Sequence, residues 1–83
     1  MRYLISYDLI TPGKDYKPLW QALADLGAVR VLESEWTVNH SNSTPLAIAN
    51  YCIKHMDAND RILVTEMPDN YAYRNLIAQP KAA

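Results

Sequence analysis

The chain has 83 residues, enough for one domain and too few for two. Apolar residues make up 49% of it, and 8 basic against 9 acidic side chains leave a net charge of −1. This balance weighs against a protein that relies on general electrostatic attraction to nucleic acid, although it allows a local basic patch. A core this small gives marginal stability. One cysteine cannot form a disulfide within the chain, and the histidines and the cysteine lack the spacing of zinc ligands. Because self-association is the remaining common source of stability, we expect a homodimer.

Three features of the sequence predict the compartment. The single cysteine, Cys52, suits a reducing environment. Asp8 interrupts the first apolar stretch too early for the apolar region of a signal peptide. No apolar run approaches the roughly 20 residues that a membrane-spanning helix needs. We therefore expect a cytoplasmic protein without a membrane segment.

The first half of the chain predicts a strand and then a helix. Alternating side chains indicate a strand over residues 2–9, which ends at the turn-forming residues 11–14. Asp15 is a suitable N-cap for the helix, and Gly27 suits the left-handed residue that follows a helix. The apolar residues between them recur at helical spacing: Tyr16, Leu19, Trp20, Leu23 and Leu26.

Residues 28–40 predict a strand segment, either one long bent strand or two short strands that meet near residues 33–35. Alternation along this segment places four side chains on one face: Leu32, Ser34, Trp36 and Val38. Thr44 and Pro45 are typical of the start of a helix. The apolar stripe expected on this second helix comprises Leu46, Ala49, Cys52 or Ile53, and Met56.

The remaining residues predict a last strand over 61–67 and a tail over 69–83, with a short helix or edge strand at 71–77. The resulting order, β-α-β(β)-α-β, predicts an α+β fold of the ferredoxin-like βαββαβ type over residues 1–68. Its antiparallel sheet would carry both helices on one face. Dimerisation or a folded-over tail would then cover the open face and the unpaired edges.

Asp8 is the first candidate for chemistry, because it ends an apolar strand and precedes a loop. A lone carboxylate binds a divalent metal weakly, whereas two copies of Asp8 facing each other across a dimer axis would make a better site. The alternative is that Asp8 only solvates the end of the strand.

Two further groups of charged residues have a functional and a structural interpretation. Asp57 and Asp60 have a spacing that suits a cation loop, but an Asx-type turn is the more common result. Lys14, Lys17 and Arg30 are candidates for a small basic patch near the first loop that would contact nucleic acid, and solvated surface is the alternative.

Three segments of the sequence resemble the CRISPR-associated protein two family. They are YLISYDL at residues 3–9, GAVRVLESEW at residues 27–36 and NDRILV at residues 59–64. The pattern of that family is an apolar strand ending in Tyr-Asp, followed by Gly, by Arg-Val and by a Ser before an aromatic residue. The resemblance extends over about residues 2 to 67.

The resemblance implies a ferredoxin-like homodimer in which paired Asp8 carboxylates hold magnesium. Some relatives are metal-dependent nucleases, others are DNA-bridging scaffolds, and the related virulence-associated D proteins resemble ribonucleases. In a nuclease of this kind Asp8 would hold the catalytic Mg²⁺ and Ser34 would line the site.

One departure from the family pattern changes the functional expectation. Family members often carry arginines after the first strand, but residues 10–17 contain none. This disfavours the DNA scaffold and leaves a metal-dependent endonuclease, acting on RNA rather than DNA, as the leading hypothesis. The alternative is a catalytically inert protein-binding or inhibitor module that uses the open sheet face or an edge to bind a protein partner.

Overall fold

A computed structural model describes residues 1–82, and residue 83, the last of the predicted tail, lies outside the described part. The elements in chain order are β1 (Arg2–Asp8), α1 (Lys17–Asp25), β2 (Val29–Leu32), β3 (Glu35–Asn39), α2 (Pro45–Ile53) and β4 (Arg61–Glu66). The strands form one antiparallel sheet in the order β2-β3-β1-β4. This confirms the ferredoxin-like α+β fold. Within residues 1–82 no helix is long and apolar enough to cross a membrane.

Strand β1 is central, because it pairs with β3 on one side and with β4 on the other. Its side chains alternate between the two faces of the sheet. Tyr3, Ile5 and Tyr7 are buried beneath the helices. The side chains between them belong to the opposite face, which would be open if nothing covered it.

The core fills the space between the sheet and the two helices. It contains Tyr3, Ile5, Tyr7, Tyr16, Leu19, Leu23, Trp36, Val38, Ile48 and Cys52. The apolar stripe predicted for α1 is confirmed, since all of its members are buried or packed against this core. The hydroxyl of Tyr51 on α2 donates to the carbonyl of Ala22 on α1 at 2.8 Å, which joins the two helices.

The predicted ends of the helices are correct in two places and wrong in one. The Thr44 side chain caps α2 by accepting from the amide of Ala47 at 3.1 Å, and Gly27 has the expected positive φ of 86°. Asp15, however, is not the N-cap of α1, because the helix begins one residue later behind Tyr16. Asp15 instead accepts from the amide of Lys17 at 3.0 Å and so supports the start of the helix from outside.

The stripe predicted for α2 is correct in part: Cys52, one of its two alternatives, is buried and Met56 packs against the core, but Leu46 is exposed. Leu46 and Ile53 are 71% and 50% exposed, whereas Ile48 and Cys52 face the core. The reason is that α2 is apolar around most of its circumference, so the spacing of its apolar residues does not select one face. Packing against β4 and α1 makes that choice.

Residues 28–40 form two short strands, which was one of the two predicted alternatives. The turn lies at Glu33 and Ser34, and it breaks the alternation expected along the segment. As a result Leu32 is 39% exposed and Val31 is buried, so Leu32 does not share the buried face with Trp36. A register shift next to the turn accompanies this change.

The tail, residues 69–82, crosses the face of the sheet opposite the helices and contains no helix or strand. The short helix or edge strand predicted at residues 71–77 is therefore wrong. Its only ladder-like bond joins the amide of Ile77 to the carbonyl of Val31 on the edge strand β2 at 2.9 Å. The tail thus covers part of the open face by side-chain packing.

Arg2 holds the tail against the sheet. Its side chain is 2% exposed and lies 4.9 Å from the centre of the Tyr71 ring. Its guanidinium donates to Asp69 at 2.9 Å, to the carbonyl of Pro68 at 3.2 Å and to the carbonyl of Lys81 at 3.0 Å. Both ends of the tail therefore meet at one cation.

Replacing Arg2 with Met keeps much of the apolar stem and removes the guanidinium, so Arg2→Met tests the anchor. We expect a loss of about 2 kcal/mol of unfolding free energy, because three charge-assisted contacts disappear. Urea denaturation measures the loss, and limited proteolysis reports whether the tail is released.

Arg74→Met is the matched control, since Arg74 is an exposed arginine on the same tail. We expect it to change stability by less than about 0.5 kcal/mol. Equal stability and equal protection of the tail in both variants would show that Arg2 does not hold the tail.

Candidate functional site

Asp8 stands at the end of β1 beside a shallow cleft of about 150 Å³. The cleft is lined by Ser6, Tyr7, Asp8, Arg61, Ile62 and Leu63. It lies where β1 and β4 run side by side, because Asp8 and Arg61 are cross-strand partners. The expectation that Asp8 ends the first strand is met, and the strand beside it supplies an arginine that the sequence analysis did not single out.

The Asp8 and Arg61 side chains form a loose ion pair, with a carboxylate oxygen 3.8 Å from a guanidinium nitrogen. They are 69% and 74% exposed. An exposed pair of this kind contributes about 0–1 kcal/mol, so a ligand can displace either partner at little cost. The Asp8 carboxylate is therefore available to a cationic ligand in the cleft, and the Arg61 guanidinium to an anionic one.

Ser34 lies at the same end of the sheet as Asp8. Its backbone carbonyl accepts from the amide of Tyr7 at 3.1 Å, which places it beside the last residues of β1. The Ser34 side chain is exposed in the turn between β2 and β3. His40 lies at the opposite end of β1, because its amide bonds to the carbonyl of Met1. Ser34 thus lies close to the end of β1, but it is not among the residues that line the cleft, and it has no contact with His40.

The three basic residues of the predicted patch have different environments. The Lys14 ammonium lies 3.5 Å from Asp57 and 5.7 Å from the centre of the Tyr16 ring. Lys17 is exposed at the first position of α1. Arg30 is engaged with the β2–β3 turn. Of the three, only Lys17 has no charged or aromatic partner within the described residues.

A cluster of aromatic side chains surrounds Arg30. The indole nitrogens of Trp20 and Trp36 both donate to the hydroxyl oxygen of Tyr7, at 3.1 and 3.0 Å. The Arg30 guanidinium lies 5.0 and 5.7 Å from the two indole rings and donates to the carbonyl of Glu33. The Tyr7 hydroxyl contacts the same carbonyl at 3.5 Å. This cluster fixes the β2–β3 turn next to Asp8.

Asp60 joins the two loops on either side of the cleft. Its carboxylate accepts from the amides of Ile10 and Asp57, each at 2.8 Å, and from the Tyr16 hydroxyl at 2.8 Å. Thr11 donates to Asp57 at 2.7 Å in the same contact region. These carboxylates close a turn and bind protein donors, as the structural interpretation predicted, and they do not form an open cation loop.

The hydrogen bonds alter the acidity of both carboxyl groups. The Thr11 hydroxyl, followed by Lys14, lowers the pKa of Asp57. Burial acts to raise the pKa of Asp60, but the bonds from Ile10, Asp57 and Tyr16 outweigh it and lower the pKa. Burial, followed by the bond to Asp60, raises the pKa of Tyr16. Asp60 is therefore held ionised and Tyr16 is held neutral.

A single copy of the chain supplies a poor set of ligands for a metal. Among residues 1–82, no three His, Cys, Asp or Glu side chains gather closely enough to hold a metal ion. Asp8 contributes one carboxylate to the cleft, and Arg61 opposes a cation there. Burial raises the pKa of the Cys52 thiol to about 11, which keeps it protonated at neutral pH. A magnesium site therefore fits this chain only if a second copy of Asp8 contributes to it.

No protein-family model matches the chain. Kinship with the CRISPR-associated protein two family accordingly stays a prediction.

Arg61 and the aromatic cluster are the functional features that the sequence analysis missed. Arg61 opens the last strand, and only the pairing of β4 with β1 brings it to Asp8. The sequence did show Tyr7, Trp20 and Trp36 at positions suited to the core. Only tertiary packing, however, brings both indole N–H groups to the hydroxyl oxygen of Tyr7.

Replacing Tyr7 with Phe removes the acceptor for two indole N–H groups. We expect Tyr7→Phe to lower the unfolding free energy by about 2–3 kcal/mol, because buried donors lose their partner. Tyr3→Phe is the control, since Tyr3 is equally buried at 3% exposure but donates a single bond, to the carbonyl of Ser43. Urea denaturation followed by tryptophan fluorescence compares the two, and an equal loss would contradict the special role of the Tyr7 hydroxyl.

Replacing Asp60 with Asn tests the junction of the two loops. The folded state lowers the pKa of Asp60, so its ionised form stabilises the fold above the ordinary pKa of about 3.9. That contribution to stability disappears as the pH falls through the lower pKa that Asp60 has in the folded state. We expect Asp60→Asn to reduce the urea midpoint at pH 7 and to flatten the loss of stability in acid.

The control for this experiment is Asp25→Asn, because Asp25 accepts one exposed bond from Gln21. Denaturation midpoints measured between pH 2 and pH 7 distinguish the two sites. If the denaturation midpoint of Asp60→Asn depends on pH in the same way as that of the wild type, the hydrogen bonds of Asp60 do not stabilise the fold.

Proposed function

We propose that this chain is a Cas-two-like, metal-dependent endonuclease that acts on RNA as a homodimer, with Asp8 as its essential residue. The observation that carries the proposal is the exposed Asp8–Arg61 pair at the cleft on a ferredoxin-like sheet. A carboxylate is the ligand that magnesium prefers, and a guanidinium is the side chain best suited to hold a phosphate. The two lie side by side there.

Arg61 supplies a basic group next to Asp8, although residues 10–17 contain no arginine. Its guanidinium is exposed and its partner is weakly held, so it can turn to a phosphodiester oxygen. Lys17, exposed at the start of α1, would extend this contact along the backbone of the nucleic acid. Ser34, in the neighbouring turn, would line the same end of the sheet.

The metal requires two protomers in this proposal. The Asp8 carboxylates of two copies would hold Mg²⁺, which would polarise the scissile phosphate and activate a water molecule when bound. The chain's own residues would contribute binding and orientation, and Arg61 would hold the phosphate. The hydrogen bonds of the Asp60 carboxylate to the amides of Ile10 and Asp57 fix the loop after Asp8 relative to the start of β4.

Cleavage of labelled single-stranded RNA and duplex DNA in Mg²⁺ or Mn²⁺ tests the proposal. We expect Asp8→Ala to reduce RNA cleavage by about a hundredfold or more, because the metal contributes several kcal/mol to the reaction. Arg61→Ala should raise KM by about tenfold through the loss of a charged phosphate contact. Asp25→Ala, at the far end of α1, is the control and should cleave like the wild type.

The oligomeric state of each variant, measured by sedimentation, accompanies these assays. Loss of cleavage in Asp8→Ala with the dimer intact would support the nuclease. Equal cleavage in wild type and Asp8→Ala would identify a contaminating enzyme and reject Asp8 as the catalytic residue.

A second candidate function is the inert protein-binding module. The observation that favours it is the edge strand β4, whose outer side has no strand partner within residues 1–82 and whose Leu63 is 65% exposed. Such an edge can accept a strand from a partner protein. Absence of cleavage across both metals and between pH 5 and pH 9 would reject the nuclease in favour of this module.

A further inference from the structure

We propose that the chain also binds a small arylalkylammonium compound, an aromatic ring with a short protonated amine, between the tail and the sheet. A cavity of about 250 Å³ lies there. It is lined by Leu4, Val31, Leu32, Glu35, Met67, Tyr71, Ala72, Tyr73, Leu76 and Pro80. We call this space the tail cavity. It is distinct from the cleft at Asp8 and shares no lining residue with it.

The size of the tail cavity fits an aromatic ring with a short arm. Close-packed protein interiors leave few voids larger than a water molecule. An apolar cavity of about 150 Å³ is known to accept benzene and to exclude water. The tail cavity has about 250 Å³, which leaves room for a ring and a chain of about three further non-hydrogen atoms.

The charge of the tail cavity selects a cation. Among residues 1–82, Glu35 is the only charged residue that lines it. Its side chain is half-buried and forms no hydrogen bond or ion pair within residues 1–82. An ammonium group from a ligand would give this carboxylate both an opposite charge and hydrogen-bond donors.

The remaining walls suit the ring of such a ligand. Leu4 and Val31 form an aliphatic floor on the sheet, and the rings of Tyr71 and Tyr73 lie on the tail with centres 6.3 Å apart. Aromatic walls bind both a ring and an adjacent cation. Leu32 and Tyr73 are 39% and 56% exposed, so the cavity opens to solvent on their side.

The roof of the tail cavity is fixed before any ligand arrives. The Arg2 guanidinium donates to the Asp69 carboxylate, and the amide of Ile77 donates to the carbonyl of Val31. The Asn39 side chain donates to the carbonyl of Ala82. Three anchors along the tail leave the segment between them arched over the sheet. A preformed cavity of this kind binds a ligand without a large cost in ordering the chain.

Titration with phenethylammonium chloride, followed by two-dimensional amide NMR and calorimetry, tests the proposal. The uncharged isostere 2-phenylethanol is the comparison compound. We expect phenethylammonium to shift the amide signals of Leu4, Val31 and Tyr73 and to bind at least about tenfold more tightly than the alcohol. Absence of binding at millimolar concentrations, or equal binding of the two compounds, would overturn the proposal.

Two variants and one control locate the interaction. Glu35→Gln should reduce phenethylammonium affinity by about tenfold and leave the alcohol unchanged. Ala72→Phe, which enlarges a residue at the wall of the cavity, should abolish binding of both. Glu66→Gln removes an exposed carboxylate on β4 and should bind like the wild type. Wild-type affinity in Glu35→Gln or in Ala72→Phe, with folding verified by circular dichroism, would reject the tail cavity as the site.

Discussion

The pairing of β1 on both of its sides is the constraint on which the rest of the structure depends. Because β3 and β4 hold the strand in register, its two-residue period assigns every side chain to one face. Tyr3, Ile5 and Tyr7 fall into the core, and a slip of one residue would replace them with Leu4, Ser6 and either Arg2 or Asp8. The same register presents Arg2 to the tail and Asp8 to Arg61, so both ends of the strand acquire their roles from one alignment.

The elements and their order were predictable because local signals agree with the global fold. Alternation identifies β1, helical spacing identifies α1, and Thr44 and Gly27 mark helix ends in the way that backbone geometry requires. Where several packings satisfy the same pattern, the sequence left alternatives open or predicted the buried face only in part. Helix α2 is apolar around most of its surface, and the β2–β3 turn uses Glu33 and Ser34 rather than glycine or asparagine, so tertiary contacts decide both.

The candidate site was predictable in part, for a related reason. The position of Asp8 at the end of an apolar strand is a local property, and the structure places it there. Its partner Arg61 is 53 residues away in sequence (61 minus 8), and only the β1–β4 register brings the two together. The tail cavity had no local signal at all, because Glu35 and Tyr73 belong to segments whose contact depends on how residues 69–82 cross the sheet.

The anchor at Arg2 has a consequence for how the chain acquires its structure during synthesis. Arg2 leaves the ribosome before its partner Lys81, which is 79 positions later in the chain. Its guanidinium must therefore stay hydrated, or bind transient acceptors, until almost the whole domain has been translated. Closing so long a loop is entropically costly unless the sheet has already assembled. We therefore expect the tail to dock after the sheet has assembled, and a nascent chain without a docked tail would leave Leu4 and Val31 uncovered.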